Sequence, residues 1–313
     1  HPDVARSYNN LANFYYSQGR YTEAEPLFQK ASSLYQRLLG EDHPDVATSY
    51  NNLANFYYSQ GRYTEAEPLY QKALSLCQRL LGEDHPYVAH SYNNLAYLYN
   101  SQGRYMEAEP LYQKALSLRQ RLLGENHPDV ATSYNNLGEL YRNQGKYTEA
   151  EPLFQKALSL RQRLLGEDHP DVATSYNNLA LLYNSQGRYT EAEPLWLQAL
   201  SIRQRLLGED HPDVATSYNN LGELYRNQGR YTEAEPLLQK ASSLYQRLLG
   251  EDHPNVATSY NNLGELYRNQ GRYTEAEPLY ERALAIFEQQ LGTEHPNTIT
   301  VRNNLENLRN NMG

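Results

Sequence analysis

Along His43–Asp84 the apolar residues Val46, Tyr50, Leu53 and Tyr57 recur at i, i+4, i+7 and i+11, with mostly polar residues between them. That spacing makes one stripe of an α-helix and predicts helix A from Pro44 to Ser59. Pro44 sits in the first turn, where its missing N–H has no intrahelical partner to lose. Gln60-Gly61-Arg62 ends the helix, with Gly61 supplying the left-handed conformation common just beyond a helix end. Ala66, Leu69, Tyr70, Ala73 and Leu76 form a second stripe and predict helix B from Thr64 to Leu81, stopped by Gly82. Glu65 and Glu67 stand where the N-terminal dipole favours acid. Pro68 lies just past the first turn, where it removes about one backbone bond and can bend the helix.

The same hairpin pattern recurs seven times at a fixed period of 42 residues, opening at His1, His43, His85, His127, His169, His211 and His253. A period of this size means that each hairpin buries its apolar face on its neighbours. The expected fold is all-α, an α-α superhelical solenoid of seven hairpins over 1–42, 43–84, 85–126, 127–168, 169–210, 211–252 and 253–294. Residues 295–313 are expected to cap it. There the two tyrosine positions of helix A become Arg302 and Arg309, while Val301, Leu305 and Leu308 keep a single stripe for packing on the last hairpin. The tail therefore reads as a genuine end of the array. His1 stands mid-pattern without an initiator Met, so the sequence reads as a piece of something longer, or as an end that self-associates. Length alone, 313 residues, would suggest about two globular domains, but a solenoid grows by adding units.

Composition narrows the function classes. A net charge of −9 disfavours a protein that neutralises phosphate backbone. The single cysteine, Cys77, rules out an internal disulfide framework and fits a reducing, cytoplasmic compartment. No run approaches the roughly 18 apolar residues of a membrane span, and no signal peptide opens the chain. Of 30 tyrosines, 21 occupy three repeat positions, those of Tyr8, Tyr15 and Tyr21, which makes them structural first.

Tyr50-x2-Leu53-Ala54-x2-Tyr57 followed by Ala66-x3-Tyr70 resembles the tetratricopeptide pattern W-x2-L-G-x2-Y…A-x3-F. Gly138, Gly222 and Gly264 even carry its glycine. The terminal proline of that pattern is missing, and the repeat is eight residues longer than the usual 34, which lengthens helix B by about two turns. The longer form, with HPDVA, NNLA, QG-[RK]-Y and EAEPLYQKAL, is similar to repeats of kinesin light chains and to 42-residue bacterial arrays. The resemblance covers the whole chain and is specific for fold; function does not follow from fold alone.

Counted from each histidine, the core stripe of helix A takes positions 4, 8, 11 and 15, and positions 6, 9, 13 and 16 fall opposite. In tetratricopeptide arrays that side of helix A lines the inner, concave surface, so the resemblance assigns it to ligand. Position 9 is always asparagine: Asn9, Asn51, Asn93, Asn135, Asn177, Asn219 and Asn261. A row of carboxamides can hydrogen-bond an extended peptide backbone whatever its sequence, and a similar ladder holds peptide in kinesin light chains. The other reading is a solvated row copied by duplication, or asparagines that tie adjacent A helices together. Position 10, also asparagine throughout, points to the flank and suits a tie between helices.

Positions 13 and 16 vary most among otherwise near-identical copies. They read Asn13/Tyr16, Asn55/Tyr58, Tyr97/Asn100, Glu139/Arg142, Leu181/Asn184, Glu223/Arg226 and Glu265/Arg268. Drift alone does not single out one face. An elongated ligand with an apolar end and a charged end suits this row. The competing reading is an i, i+3 Glu–Arg pair on a solvated helix, worth a few tenths of a kcal/mol.

Enzymatic chemistry finds little footing. Eight of nine histidines are loop residues 42 apart in sequence, on hairpins about 8–10 Å apart, too far to share a metal ion. His90 stands alone at position 6, Cys77 takes a helix B position that is Tyr, Arg or Phe elsewhere, and Glu65 and Glu67 are helix-start acids. No Gly-rich phosphate loop or HExxH motif is present, and no cofactor or metal is called for. The expected function is a protein-interaction scaffold that takes a peptide or partner domain in its groove. The alternatives are a self-assembling architectural array, associating end to end through the first repeat, or the sensor arm of a larger multidomain signalling NTPase. Nucleic acid and membrane are not expected partners. Deleting residues 295–313 is expected to expose the last hairpin and promote aggregation, followed by light scattering; unchanged solubility would remove the cap assignment.

Overall fold

The computed structural model describes residues 1–312. Fifteen helices and no strand are present among them. The A helices are α1 (Pro2–Ser17), α3 (Pro44–Ser59), α5 (Pro86–Ser101), α7 (Pro128–Asn143), α9 (Pro170–Ser185), α11 (Pro212–Asn227) and α13 (Pro254–Asn269). The B helices are α2 (Tyr21–Leu39), α4 (Tyr63–Leu81), α6 (Tyr105–Leu123), α8 (Tyr147–Leu165), α10 (Tyr189–Leu207), α12 (Tyr231–Leu249) and α14 (Tyr273–Leu291), and α15 (Pro296–Met312) ends the chain. The helices divide into two compact units, His1–Gly166 and Glu167–Gly313. Within each, every A helix packs on its own B helix, and each B helix packs on the A helix that follows.

The opening histidines cap the A helices, a role the sequence did not suggest. His43 is extended (φ −137°, ψ 139°), as the residue before a proline must be. Its Nδ1 accepts the backbone N–H of Asp45 at 3.1 Å, filling one of the four donors a helix start leaves open. The same bond recurs at His85, His127, His169, His211, His253 and His295. Gly61 and Gly82, at φ 67° and 82°, make the two turns of the hairpin. The B helices run unbroken through their proline, and α4 begins at Tyr63, one residue earlier than the stripe predicts.

Each A helix is buried over a wider arc than one stripe. Besides Val46, Tyr50, Leu53 and Tyr57, the residues Ala47, Ala54 and Phe56 are buried, because the helix touches its own hairpin and both neighbouring ones. In α1, with a hairpin on one side only, Val4, Leu11 and Phe14 are 46%, 42% and 54% exposed.

Polar contacts fix the register between hairpins. Gln78 Nε2 donates to Tyr92 Oη at 3.0 Å, and Gln204 to Tyr218 at 2.9 Å. Tyr99 Oη donates to Glu67 at 3.1 Å while accepting from Gln71 at 3.2 Å. Arg104 pairs with Glu107 of its own hairpin and Glu67 of the preceding one, both at 2.7 Å, and its guanidinium lies 4.0 Å from the centre of the Tyr99 ring. Arg62, Arg230 and Arg272 repeat this clamp. The glutamates at the start of helix B are therefore held by arginine as well as by the dipole; Arg104 keeps the Glu107 carboxyl below its ordinary range. At the end of the array α15 buries Val301, Leu305 and Leu308 against α14. Its Arg309 takes up Glu277 at 2.7 Å, the role an arginine of the clamp plays elsewhere.

Where the A and B helices of one hairpin cross, position 12 is alanine or glycine. A Cβ on Gly138 would lie 3.3 Å from the Phe154 ring, but one on Gly222 would lie 2.6 Å from Leu238 Cγ. Gly138→Ala is expected to be neutral or stabilising, since alanine gains about 1 kcal/mol of helix propensity and Ala54 already sits over Tyr70 in repeat two. Gly222→Ala is expected to cost about 1–2 kcal/mol net, because overpacking exceeds that gain. Comparison of thermal unfolding midpoints checks the order of the two.

Candidate functional site

The register between A helices brings position 16 of one repeat to position 13 of the next. The rings of Tyr58 and Tyr97 lie 5.0 Å apart, and Arg226 forms an ion pair with Glu265. This corrects the i, i+3 reading: Arg226 pairs forward to the next helix, not back to Glu223 of its own.

In the first unit these residues line a cleft of about 330 Å³. Asn13, Tyr16, Asn55, Tyr58 and Tyr97 form its walls, with Asn52 and Asn94 from position 10, while Phe28, Phe56 and Tyr70 also line it. Tyr16 packs against Tyr21 and Phe56, with centroids 5.7 and 6.3 Å away, so its ring is held in place. Tyr70 Oη donates to Asn55 Oδ1, and Tyr58 Oη shares a 2.6 Å hydrogen bond with Ser101. Burial and the neighbouring Tyr97 push the Tyr58 phenol above its ordinary range. Asn13 and Asn55 are exposed, and Tyr97 is 39% exposed. The next facing pair is Asn100 and Glu139. Asn100 is buried and its Oδ1 accepts from Asn143 at 3.2 Å. Glu139 is half-buried, its carboxyl raised by that burial and only partly offset by Arg142.

The second unit fills the same row differently. Leu181 and Asn184 are half-buried, and Asn184 accepts from Asn227 at 3.5 Å. Glu223 accepts from Asn219 Nδ2 at 2.7 Å and from Asn262 Nδ2. Burial nonetheless raises its carboxyl. With Arg226 and Glu265 this makes a connected polar row; Arg268, half-buried, follows it on α13.

Position 9 is not a solvated row. Asn51, Asn135 and Asn219 are 8%, 7% and 7% exposed. The Oδ1 of position 9 accepts the Nδ2 of position 10 in the following repeat: Asn9 from Asn52 at 2.9 Å, Asn93 from Asn136 at 2.8 Å, Asn177 from Asn220 at 2.7 Å. Asn51, Asn219 and Asn261 accept in the same way from Asn94, Asn262 and Asn304. Trp196 Nε1 adds a second donor to Asn177 at 3.0 Å. In the first three repeats only the oxygen of Asn9, Asn51 and Asn93 is so engaged, and their amide hydrogens are not spent on one another.

His90 lies beside Asn94, 3.2 Å between Nε2 and Nδ2, and burial with Arg119 lowers its basicity. The Cys77 thiol is buried and raised by burial. No group of three His, Cys, Asp or Glu residues able to hold a metal ion occurs among the described residues, and no helix is long and apolar enough to cross a membrane. The sequence reading missed the cleft contributions of Asn52, Asn94 and Tyr70. The aromatic at position 28, opposite the small residue at position 12, was the available signal.

A family profile described as tetratricopeptide repeat matches residues 45–105, 87–154, 129–195, 171–229, 213–288 and 256–310, and a second of the same description matches 4–45. No curated protein matches the chain. Among solved structures, BtubC (BKLC) from P. vanneervenii is 27% identical over 74% of this chain and 92% of that one, with a TM-score of 0.59. Nearly identical kinesin light chain TPR-like repeats from Podosopora anserina are 28% identical over 66% of this chain and 97% of theirs, TM-score 0.53. A Rap protein in complex with Competence and Sporulation Factor shares the fold at 14% identity, over 99% of both chains, TM-score 0.59.

The burial of the asparagine row sets an expectation for stability. Asn219→Ala leaves Asn262 and Glu223 each short of a partner in a buried setting, and is expected to cost about 1–3 kcal/mol. Asn13→Ala, at an exposed position, is expected to stay within about 0.5 kcal/mol. Urea unfolding of the two variants measures both values.

Proposed function

Because the chain belongs to the tetratricopeptide-repeat family, we propose that it is a protein-interaction scaffold whose A-helix face receives an extended peptide or a partner's extended segment. One observation carries the reading: positions 13 and 16, the two that vary most along helix A of near-identical repeats, supply Asn13, Tyr16, Asn55, Tyr58 and Tyr97 to the open cleft of the first unit. The core and inter-hairpin residues of helix A are nearly constant because each serves a partner at a fixed offset. Residues facing solvent without such duties would drift anywhere, not on one face.

The cleft offers two kinds of contact. Tyr16, Tyr58 and Tyr97 present aromatic surface, which contributes much contact area at a small entropy cost. The carboxamides of Asn13 and Asn55, and the amide hydrogens of Asn9, Asn51 and Asn93, suit main-chain carbonyls and N–H groups. In the second unit Leu181, Asn184, Glu223, Arg226, Glu265 and Arg268 form a more polar stretch in which Glu223 and the Arg226–Glu265 pair are already engaged. The first unit is thus the stronger half of the site. A Rap protein of this fold has been solved in complex with Competence and Sporulation Factor. A second reading, self-association through α1, draws on the exposed Val4, Leu11 and Phe14.

Panning a random peptide library against the protein tests the proposal, with Tyr97→Ala as the cleft variant. Tyr87→Ala, at a tyrosine that is 58% exposed and takes no part in the cleft, serves as control. The expected result is an enriched motif that binds wild type and Tyr87→Ala, and binds Tyr97→Ala about tenfold or more weakly, since an aromatic contact contributes on the order of 1–3 kcal/mol. No enrichment, with a mass that rises with concentration, would replace the peptide reading by self-association.

A further inference from the structure

We infer that Glu139, on the A-helix face next to the Tyr58 and Tyr97 wall of the first unit's cleft, receives a basic side chain, lysine or arginine, of the bound peptide. This rests on the peptide reading above and adds the chemistry of one recognised residue.

The inference starts from the three glutamates at position 13. Glu223 has two carboxamide donors, Asn219 and Asn262. Glu265 has Arg226 from the preceding helix and Asn304 from the following one, at 3.3 Å. Glu139 has neither. The residue that faces it across the register is Asn100, where Glu265 faces an arginine, and the Oδ1 of Asn100 is already taken by Asn143. Arg142 lies one turn along the same helix but forms no ion pair with Glu139 within 4 Å, and among the described residues Glu139 makes no hydrogen bond. A half-buried carboxylate without a partner is costly, because the lost hydration is not replaced.

A second group nearby is also short of a partner. Tyr112, on α6 at position 28, is 1% exposed, and its hydroxyl makes no hydrogen bond of ordinary geometry, with the Asn100 side chain beside it. Its equivalent in the preceding repeat, Tyr70, reaches position 13 and donates to Asn55. In repeat three position 13 is Tyr97, which offers a ring in place of a carboxamide. The aromatic faces of Tyr58 and Tyr97, 5.0 Å apart, thus lead along the register to an unpaired carboxylate, with an unpaired phenol below. A cation answers the rings and the carboxylate. Its charge pairs with Glu139, its N–H groups donate to the carboxylate, and aromatic faces attract it through their quadrupole. The other groups that face Glu139 are Arg142 and the phenols of Tyr58, Tyr97 and Tyr112, none of which supplies a proton to it. An acidic side chain would meet like charge here, and an apolar one would leave the carboxylate dry and unpaired.

The test uses the peptide consensus selected on the wild-type protein, synthesised with a fluorescent label, alongside a copy in which its basic residue is glutamine. Binding is measured by fluorescence polarisation to wild type, Glu139→Gln and Glu139→Lys. Glu139→Gln keeps the shape and buries no charge, so it keeps the test valid should Glu139→Lys fail to fold. The expected result is a basic residue at a fixed place in the consensus. Its peptide should bind Glu139→Gln about tenfold or more weakly, while the glutamine copy binds both proteins alike, and panning on Glu139→Lys should select an acidic residue at that place. A consensus without a basic residue, or one whose affinity is the same for wild type and Glu139→Gln while Tyr97→Ala abolishes it, overturns this inference and leaves the peptide reading standing. Selection of no peptide at all overturns both.

Discussion

Each hairpin depends on a partner at a fixed distance along the chain, and the rest of the structure follows from that offset. Tyr92 finds Gln78 14 residues back, Tyr99 finds Gln71 28 back, Arg104 finds Glu67 37 back, and Asn52 finds Asn9 43 back. Arg79 and Asp42, Arg121 and Asp84, and Arg247 and Asp210 repeat the offset of 37 at the other end of the hairpin. Any one of these exposed ion pairs is worth only about 0.2–1 kcal/mol. Apolar burial supplies the drive to stack, but it is indifferent to small slides. The polar bonds are directional, and all are made in one register only. An insertion of a single residue would break every offset across that junction, which explains in physical terms why the spacing of 42 is kept through all copies.

That offset also divides what the sequence discloses from what it conceals. A stripe at helical period is local, so helix A of repeat two, Pro44–Ser59, is legible to the residue. Helix B starts one residue earlier than expected because Arg62, its N-cap, makes no side-chain cap bond and leaves no Ser, Thr, Asp or Asn to mark the start. The burial of Phe56 and of Asn51 was hidden for another reason. A stripe divides a helix into an inside and an outside, whereas an A helix in a stack has neighbours on both flanks. The row of asparagines at position 9 read as a ligand-facing ladder, with a tie between A helices only as an alternative, because the groups it bonds, the asparagines at position 10, belong to the next repeat. The Glu–Arg pair was misplaced on the same ground: Glu265 and Arg268 are three residues apart in sequence, but the arginine that pairs with Glu265 is 39 residues away.

Of the face proposed for ligand, the variable positions were legible and their meeting was not. Variation marks positions 13 and 16 without structural knowledge, since it is the frozen positions around them that betray a duty. Only the register brings Tyr58 to Tyr97, and Asn55 to the Tyr70 hydroxyl, and so turns scattered variable residues into one cleft. The same step separates glutamates that look alike in sequence. Glu223 is absorbed by Asn219 and Asn262 and Glu265 by Arg226, whereas Glu139, in an identical local sequence Gly-Glu-Leu-Tyr-Arg-Asn, faces Asn100 where Glu265 faces an arginine and takes no asparagine donor among the described residues.

Helix α15 bears on whether these polar bonds are required or incidental. In α15 the tyrosine of position 8 is replaced by Arg302, and the glutamine that would have bonded it is replaced by Glu288; the two form an ion pair at 3.0 Å. Thr298, wholly buried, turns its hydroxyl to the Gly292 carbonyl at 2.8 Å. Arg309 takes Glu277 and Glu281, the acids that a further hairpin would have engaged. Glu277, Glu281, Glu288 and the Gly292 carbonyl of that hairpin thus each receive a partner although the side chains have changed. The exchange of both members of the Tyr–Gln pair for an Arg–Glu pair keeps the bond and alters its chemistry. α15 therefore meets the polar edge of the hairpin it packs on as well as covering its apolar face with Val301, Leu305 and Leu308.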